Sequence, residues 1–109
     1  MSDFLIAPAA SSDLEEVWNY YAVECGDIEA ADRVTEEIFR AFEKLARTPG
    51  IGHFRSDLAA EPLRFWRVKK YLIIYRSEKR PIEIARVLHA ARDVDAILGG
   101  KHPGKSSPE

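Results

Sequence analysis

At 109 residues, 46% of them hydrophobic and 31% charged, the chain is long enough to bury one core but not two, and its composition argues against a disordered polypeptide. It has no apolar run near the ~20 residues of a membrane span and no basic start followed by a signal-peptide stretch, which predicts a cytoplasmic protein. The net charge of −2 conceals a division: residues 1–50 carry eleven acidic and four basic side chains, or −7, and residues 51–109 carry seven and twelve, or +5.

Phe4-Leu-Ile-Ala7, closed by Pro8, reads as a first strand and a turn. Ser12 with Glu15 three residues on has the form of a capping box. It would open a helix whose apolar face is Leu14, Val17, Trp18, Tyr21 and Cys25. A single cysteine cannot close an internal disulfide, so Cys25 is expected to be a small buried residue. Gly26 fits a left-handed helix terminus. Asp27 then caps a second helix of about twenty residues and ~30 Å, with Ile28, Ala31, Thr35, Ile38, Phe42 and Leu45 along its stripe and Val34, Phe39 and Ala41 widening it. Thr48 before Pro49 disfavours helix, and Arg47 complements the C-terminal dipole. The two helices should form an antiparallel hairpin that needs a cover.

That cover is residues 64–89. Three runs rich in Val, Ile, Phe, Trp and Tyr, divided by Lys69-Lys70 and by a polar segment ending at Pro81, predict a β-meander. Tyr71, Ile73 and Tyr75 alternate with Leu72 and Ile74, so both faces of the middle strand are apolar and it should be central. In the last run strict alternation groups Ile82, Ile84, Arg86 and Leu88 against Ala85, Val87 and His89. Residues 90–98 could add one or two helical turns. The expected organisation is a single domain over 1–98 and a disordered tail over 99–109, where there is no apolar residue to bury. The fold class is α+β: an N-terminal strand, a two-helix hairpin, a three-stranded antiparallel meander and a short C-terminal helix.

The meander also holds the positive charge. Residues 64–80 contain Arg64, Arg67, Lys69, Lys70, Arg76, Lys79 and Arg80 against Glu78, a local +6. Such a patch steers an anionic partner, nucleic acid or an acidic protein segment. His53, His89 and His102 stand at no metal-pair spacing, there is no Cys/His cluster, the serines form no nucleophile elbow, and residues 50–58 lack the pattern of a phosphate loop. No metal or cofactor is expected. Metal-free RNA cleavage survives, since it needs only a base, an acid and cations; His53, Arg55, Arg67, Lys69, Arg86, His89 and Arg92 could supply them if they converged.

Tyr71-Leu-Ile-Ile-Tyr-Arg76 together with Ile84-Ala-Arg-Val-Leu-His-Ala-Ala-Arg-Asp93, behind the strand, the helix hairpin and the Pro49-Gly-Ile-Gly52 loop, resembles the RelE/ParE superfamily of type II toxin–antitoxin toxins over residues 3–98. It is most similar to the ParE branch, the plasmid stabilisation toxins. The resemblance implies a cytoplasmic growth inhibitor held inactive by a small antitoxin, ParD-like and of ribbon-helix-helix type, encoded beside it. ParE-like members poison DNA gyrase; RelE-like members cleave mRNA on the ribosome. The RNA-cleaving pattern has an arginine where this chain has Leu72 and a tyrosine where it has Ile97 and Leu98, while Arg92 does match. The implied action is therefore gyrase poisoning without catalysis and without reading a nucleic-acid sequence directly. Arg64, Trp66, Arg67, Lys69, Lys70 and Arg86 would be the partner-binding residues. The alternative is a ribosome-dependent endoribonuclease using His53, Arg67, Arg86, His89 and Arg92.

Overall fold

The computed structural model describes residues 3–55 and 62–90. The possible helix at 90–98, the tail, His102 and Arg92 thus lie outside the described residues, apart from Ala90.

Strand β1 (Phe4–Ile6) leads into helix α1 (Pro8–Asn19) through Ala7, with Pro8 in the first helical position. Proline's fixed φ is already helical there and its missing N–H is not needed, so the helix starts a turn before Ser12. Ser11 N–H accordingly donates to Ala7 O at 3.0 Å. Ser12 and Glu15 therefore fall inside the helix and cap nothing, contrary to the capping-box expectation. Residues Tyr20–Glu24 form a π-helical turn in which none of the five side chains is buried, and Cys25 N–H donates to Tyr20 O, five residues back. The extra residue per turn swings the end of the stripe outward. Cys25 is exposed, which corrects its assignment to the core.

Gly26 takes a φ of +67° and Asp27 accepts from Ala30 N–H at 3.0 Å, so helix α2 (Ile28–Arg47) begins as its sequence demands. Its buried stripe is Ala31, Ile38, Ala41, Phe42 and Leu45. The expected stripe was too wide: Ile28 and Phe39 are exposed. A 3-10 turn (Pro49–Ile51) and a two-residue strand β2 (His53–Phe54) follow. Strands β3 (Arg64–Val68), β4 (Tyr71–Arg76) and β5 (Ile82–His89) form the antiparallel meander.

The five strands lie in the order β1-β5-β4-β3-β2, with β4 in the middle. The sheet is mixed, because β1 pairs parallel to β5, Phe4 opposite Ile82 and Ile6 opposite Ile84. This departs from an all-antiparallel arrangement: the helices bring the chain back at β2, running opposite to β1, and three further reversals leave β5 running the same way as β1 beside it. Tyr71, Ile73 and Tyr75 pack toward the helices with Phe42, Ile38 and Leu45; Leu72 and Ile74 join Leu63, Phe65 and Leu88 in a second apolar cluster. Both faces of β4 are therefore buried. On β5 strict alternation fails. The register shifts between Ile74 and Tyr75, which pair with Arg86 and Ile84, leaving Ala85 as an extra residue. The bulge inverts the parity, so Val87 instead of Leu88 joins Ile82 and Ile84 in the helix-side core.

Candidate partner-binding surface

The basic residues of the meander divide between the two ends of the sheet. The β3–β4 turn carries Lys69 and Lys70, whereas Arg64, Arg76, Lys79 and Arg80 lie at the opposite end. Four residue steps of ~3.3 Å along β3 separate the ends by more than the ~8 Å over which charges remain unscreened in physiological salt. The local +6 is thus two sites, not one field.

At the end away from the β3–β4 turn, Arg64 is occupied internally. Its Nε donates to Ser77 Oγ at 2.8 Å, Nη1 to Gly52 O at 2.8 Å, and the guanidinium lies 4.0 Å from the centre of the Phe54 ring. Beside it, Tyr75, with no exposed surface, accepts from Gly52 N–H at 2.9 Å and donates to Pro49 O at 2.6 Å. Burial pushes the Tyr75 phenol above its ordinary pKa, opposed by the Gly52 hydrogen bond and by Arg64. Gly52 has room for no side chain, since a Cβ there would sit 2.5 Å from the Tyr75 hydroxyl. Arg76 pairs with Glu83 at 3.3 Å, and Arg80 donates to the carbonyls of Ser77 and Lys79.

Arg86 is likewise engaged. It grips Asp13 of α1 through Nε at 2.8 Å and Nη2 at 2.9 Å, and Asp13 also accepts from Val87 N–H at 2.9 Å. One carboxylate thus pins α1 to the β-bulge. Asp13 escaped the sequence reading, although it lies between Ala10 and Val17 at the helical spacing of that buried face, where a carboxylate implies an internal partner.

Three of the expected partner contacts remain on the surface. Arg67 is exposed, two residues along β3 from buried Phe65, with its Nε on Lys69 O at 2.7 Å. Lys69 holds a φ of 53° at the turn and reaches Glu37 of α2 at 3.7 Å; Lys70 is exposed beside it. Trp66 is half-buried on the helix side, with Lys44 Nζ 5.3 Å from its ring centre.

The catalytic alternative requires convergence, and the histidines do not converge. His53 pairs with Phe65 on one edge and His89 with Tyr71 on β4's far side. Three interstrand steps and three residue steps place them about 17 Å apart. His89 meets the Tyr71 ring edge-on at 5.6 Å and shares a hollow with Lys70, Tyr20, Asp13 and Glu16. Among the described residues no cluster of three His, Cys, Asp or Glu side chains could hold a metal, and no helix is long and apolar enough to cross a membrane.

In comparison with known proteins, the family model described as ParE toxin of type II toxin-antitoxin system, parDE, matches residues 4–94. The chain is 31% identical over 98 residues to Toxin ParE1 of Mycobacterium tuberculosis, in both strain CDC 1551 / Oshkosh and strain ATCC 25618 / H37Rv, covering 89% of this chain and 98% of the relative. A structure of the chromosomal ParDE TA system from P. aeruginosa superposes with a TM-score of 0.66 at 21% identity, over 82% of this chain and 96% of that one, and shares the fold. With a family match across nearly the whole described sheet and hairpin, the chain belongs to the ParE toxins of type II toxin–antitoxin systems.

Proposed function

We propose that this ParE-family toxin arrests bacterial growth by binding DNA gyrase and trapping it on broken DNA, and that a ParD-like ribbon-helix-helix antitoxin neutralises it. The observation that carries a binding role over a catalytic one is the dispersal of the would-be catalytic groups: His53 and His89 lie on different strands far apart, and Arg86 is held by Asp13. An acid and a base on one phosphodiester must both lie within hydrogen-bond reach of it. Purified toxin is expected to inhibit gyrase supercoiling and accumulate linear DNA. Full supercoiling at saturating toxin with antitoxin absent would refute this.

The antitoxin is read as a segment that is disordered alone and folds on contact, laying apolar side chains against the hairpin and sheet and acidic ones against Arg67, Lys69 and Lys70. Arg64 and Arg86 serve the fold, through Gly52 and Ser77 and through Asp13. The second reading, ribosome-dependent mRNA cleavage, draws on the hollow where Lys70 and His89 meet. Asp13 and Glu16 line the same hollow and oppose an entering phosphate. Intact mRNA in a translating lysate is the expected result.

A further inference from the structure

Helix α2 passes the end of the sheet at Glu37, where it meets Lys69 of the β3–β4 turn. Ile28 lies nine residues earlier, about 13 Å along the helix at 1.5 Å per residue, and this first part of α2 forms with the end of α1 the arm of the hairpin. This arm ends in the π-helical turn and leaves Val23 69%, Ile28 59% and Tyr20 45% exposed. Beneath the arm is a notch floored by Val34, Ile38, Val68 and Tyr71, walled by Tyr21, and rimmed by Lys70 and by Lys69 with its partner Glu37. Its volume is about 80 Å³, roughly half that of the apolar cavity of ~150 Å³ that takes a six-carbon ring. It suits a three-carbon side chain such as valine.

We propose that two copies of the chain associate through this end, the Val23 side chain of each entering the notch of the other and Glu24 meeting the partner copy's Lys70. Three features favour a second copy as the occupant. Val23 and Glu24, adjacent at the tip, present an apolar group followed by a carboxylate, while the notch presents an apolar floor followed by an ammonium. Glu24 and Lys70 each make no ion pair among the described residues, whereas Lys69 is already engaged by Glu37. Tip and notch also lie at the same end of the molecule, so a two-fold axis makes both contacts at once and closes the assembly. The small area makes this a weak dimer, populated only at high concentration.

Sedimentation equilibrium of the free toxin in reducing buffer, which keeps exposed Cys25 out of disulfides, tests this without any antitoxin or gyrase. Reversible dimerisation is expected, weakened roughly tenfold or more by Val23→Glu and by Lys70→Glu, and unchanged by Leu5→Glu on the β1 edge at the other end. All three positions are exposed, and unchanged thermal melts verify folding. A toxin that stays monomeric at about 1 mM, a dimer that survives either of the first two substitutions, or one abolished by the third would overturn the proposal.

Discussion

The two ends of the sheet carry similar charge and treat it oppositely. At the Pro49–Ile51 end, Arg64, Tyr75 and Gly52 satisfy one another: the guanidinium, the phenol and the peptide N–H each have a fixed acceptor. At the Lys69-Lys70 end the ammonium groups stay near the surface, beneath an arm whose tip leaves Val23 and Ile28 exposed. The difference follows from side-chain chemistry. Arginine's planar fork matches pairs of carbonyls or a carboxylate and is readily drawn into structure, whereas lysine's strongly hydrated ammonium on a flexible stem is more readily left in solvent. Positive charge in a sequence therefore locates a partner surface only after the side chains that the fold engages, here Arg64 and Arg86, have been set apart.

The comparison breaks most severely at Asp13. If Arg86 belongs to the internal class, Asp13→Ala leaves it half-buried and strips Val87 N–H of its acceptor, so urea denaturation should show a loss of about 3–5 kcal/mol. A loss under about 1 kcal/mol would return the pair to the surface class. Joint replacement by Asp13→Leu and Arg86→Met should recover part of that loss but not all, because Val87 N–H remains unsatisfied.

Next in size is the loop lock. Tyr75→Phe removes the acceptor of Gly52 N–H and the donor to Pro49 O, an expected loss of about 1–3 kcal/mol by the same denaturation. Gly52→Ala should cost a similar amount through crowding alone. Tyr75 ring atoms stand 2.8 and 3.0 Å from the position of the added carbon, so removing the hydroxyl should relieve the clash only in part.

This lock marks the limit of what the residues disclose in order. Central β4, the Asp27 cap and the Gly26 terminus were legible because each rests on a local rule of alternation, side-chain capping or positive φ. The start of α1 was misplaced because a proline signal outweighed a capping box. The parity of β5 failed because a bulge is set by cross-strand register, which no single strand records. The site fared worse for the same reason: Arg64 and Arg86 look like surface charge until Gly52, Ser77 and Asp13 are brought to them by the fold.

Arg67 sharpens the contrast from the other side. It lies on the same strand as Arg64, but among the described residues its hydrogen bond is to the turn carbonyl of Lys69. Arg67→Glu should change stability by no more than about 0.5 kcal/mol, yet weaken the antitoxin complex about tenfold and flatten its salt dependence. Arg64→Glu should do the reverse, unfolding the chain at lower urea through its loop contacts. Titration calorimetry at two salt concentrations, with denaturation curves of both variants, separates the two roles. Equal affinities for wild type and Arg67→Glu would remove Arg67 from the contact.

The smallest effect is in alkaline solution, at the same lock. The folded state raises the Tyr75 pKa above its ordinary value of 10.0, which favours the protonated phenol. The associated stability is complete below the unfolded value, near pH 10, and is lost as pH climbs through the raised folded value, at no more than about 1.4 kcal/mol per pH unit for one proton. Tyr75→Phe has no such proton to lose. The gap in stability between the wild type and this variant should be constant from pH 7 to about 9 and narrow above about 10, and the difference cancels the lysines and other tyrosines that titrate in the same range. Urea midpoints of the two proteins measured in parallel would show it. A gap that stays constant to pH 11 would mean that the phenol keeps its ordinary pKa in the folded state, so that burial beside Gly52 and Arg64 does not disfavour its ionisation.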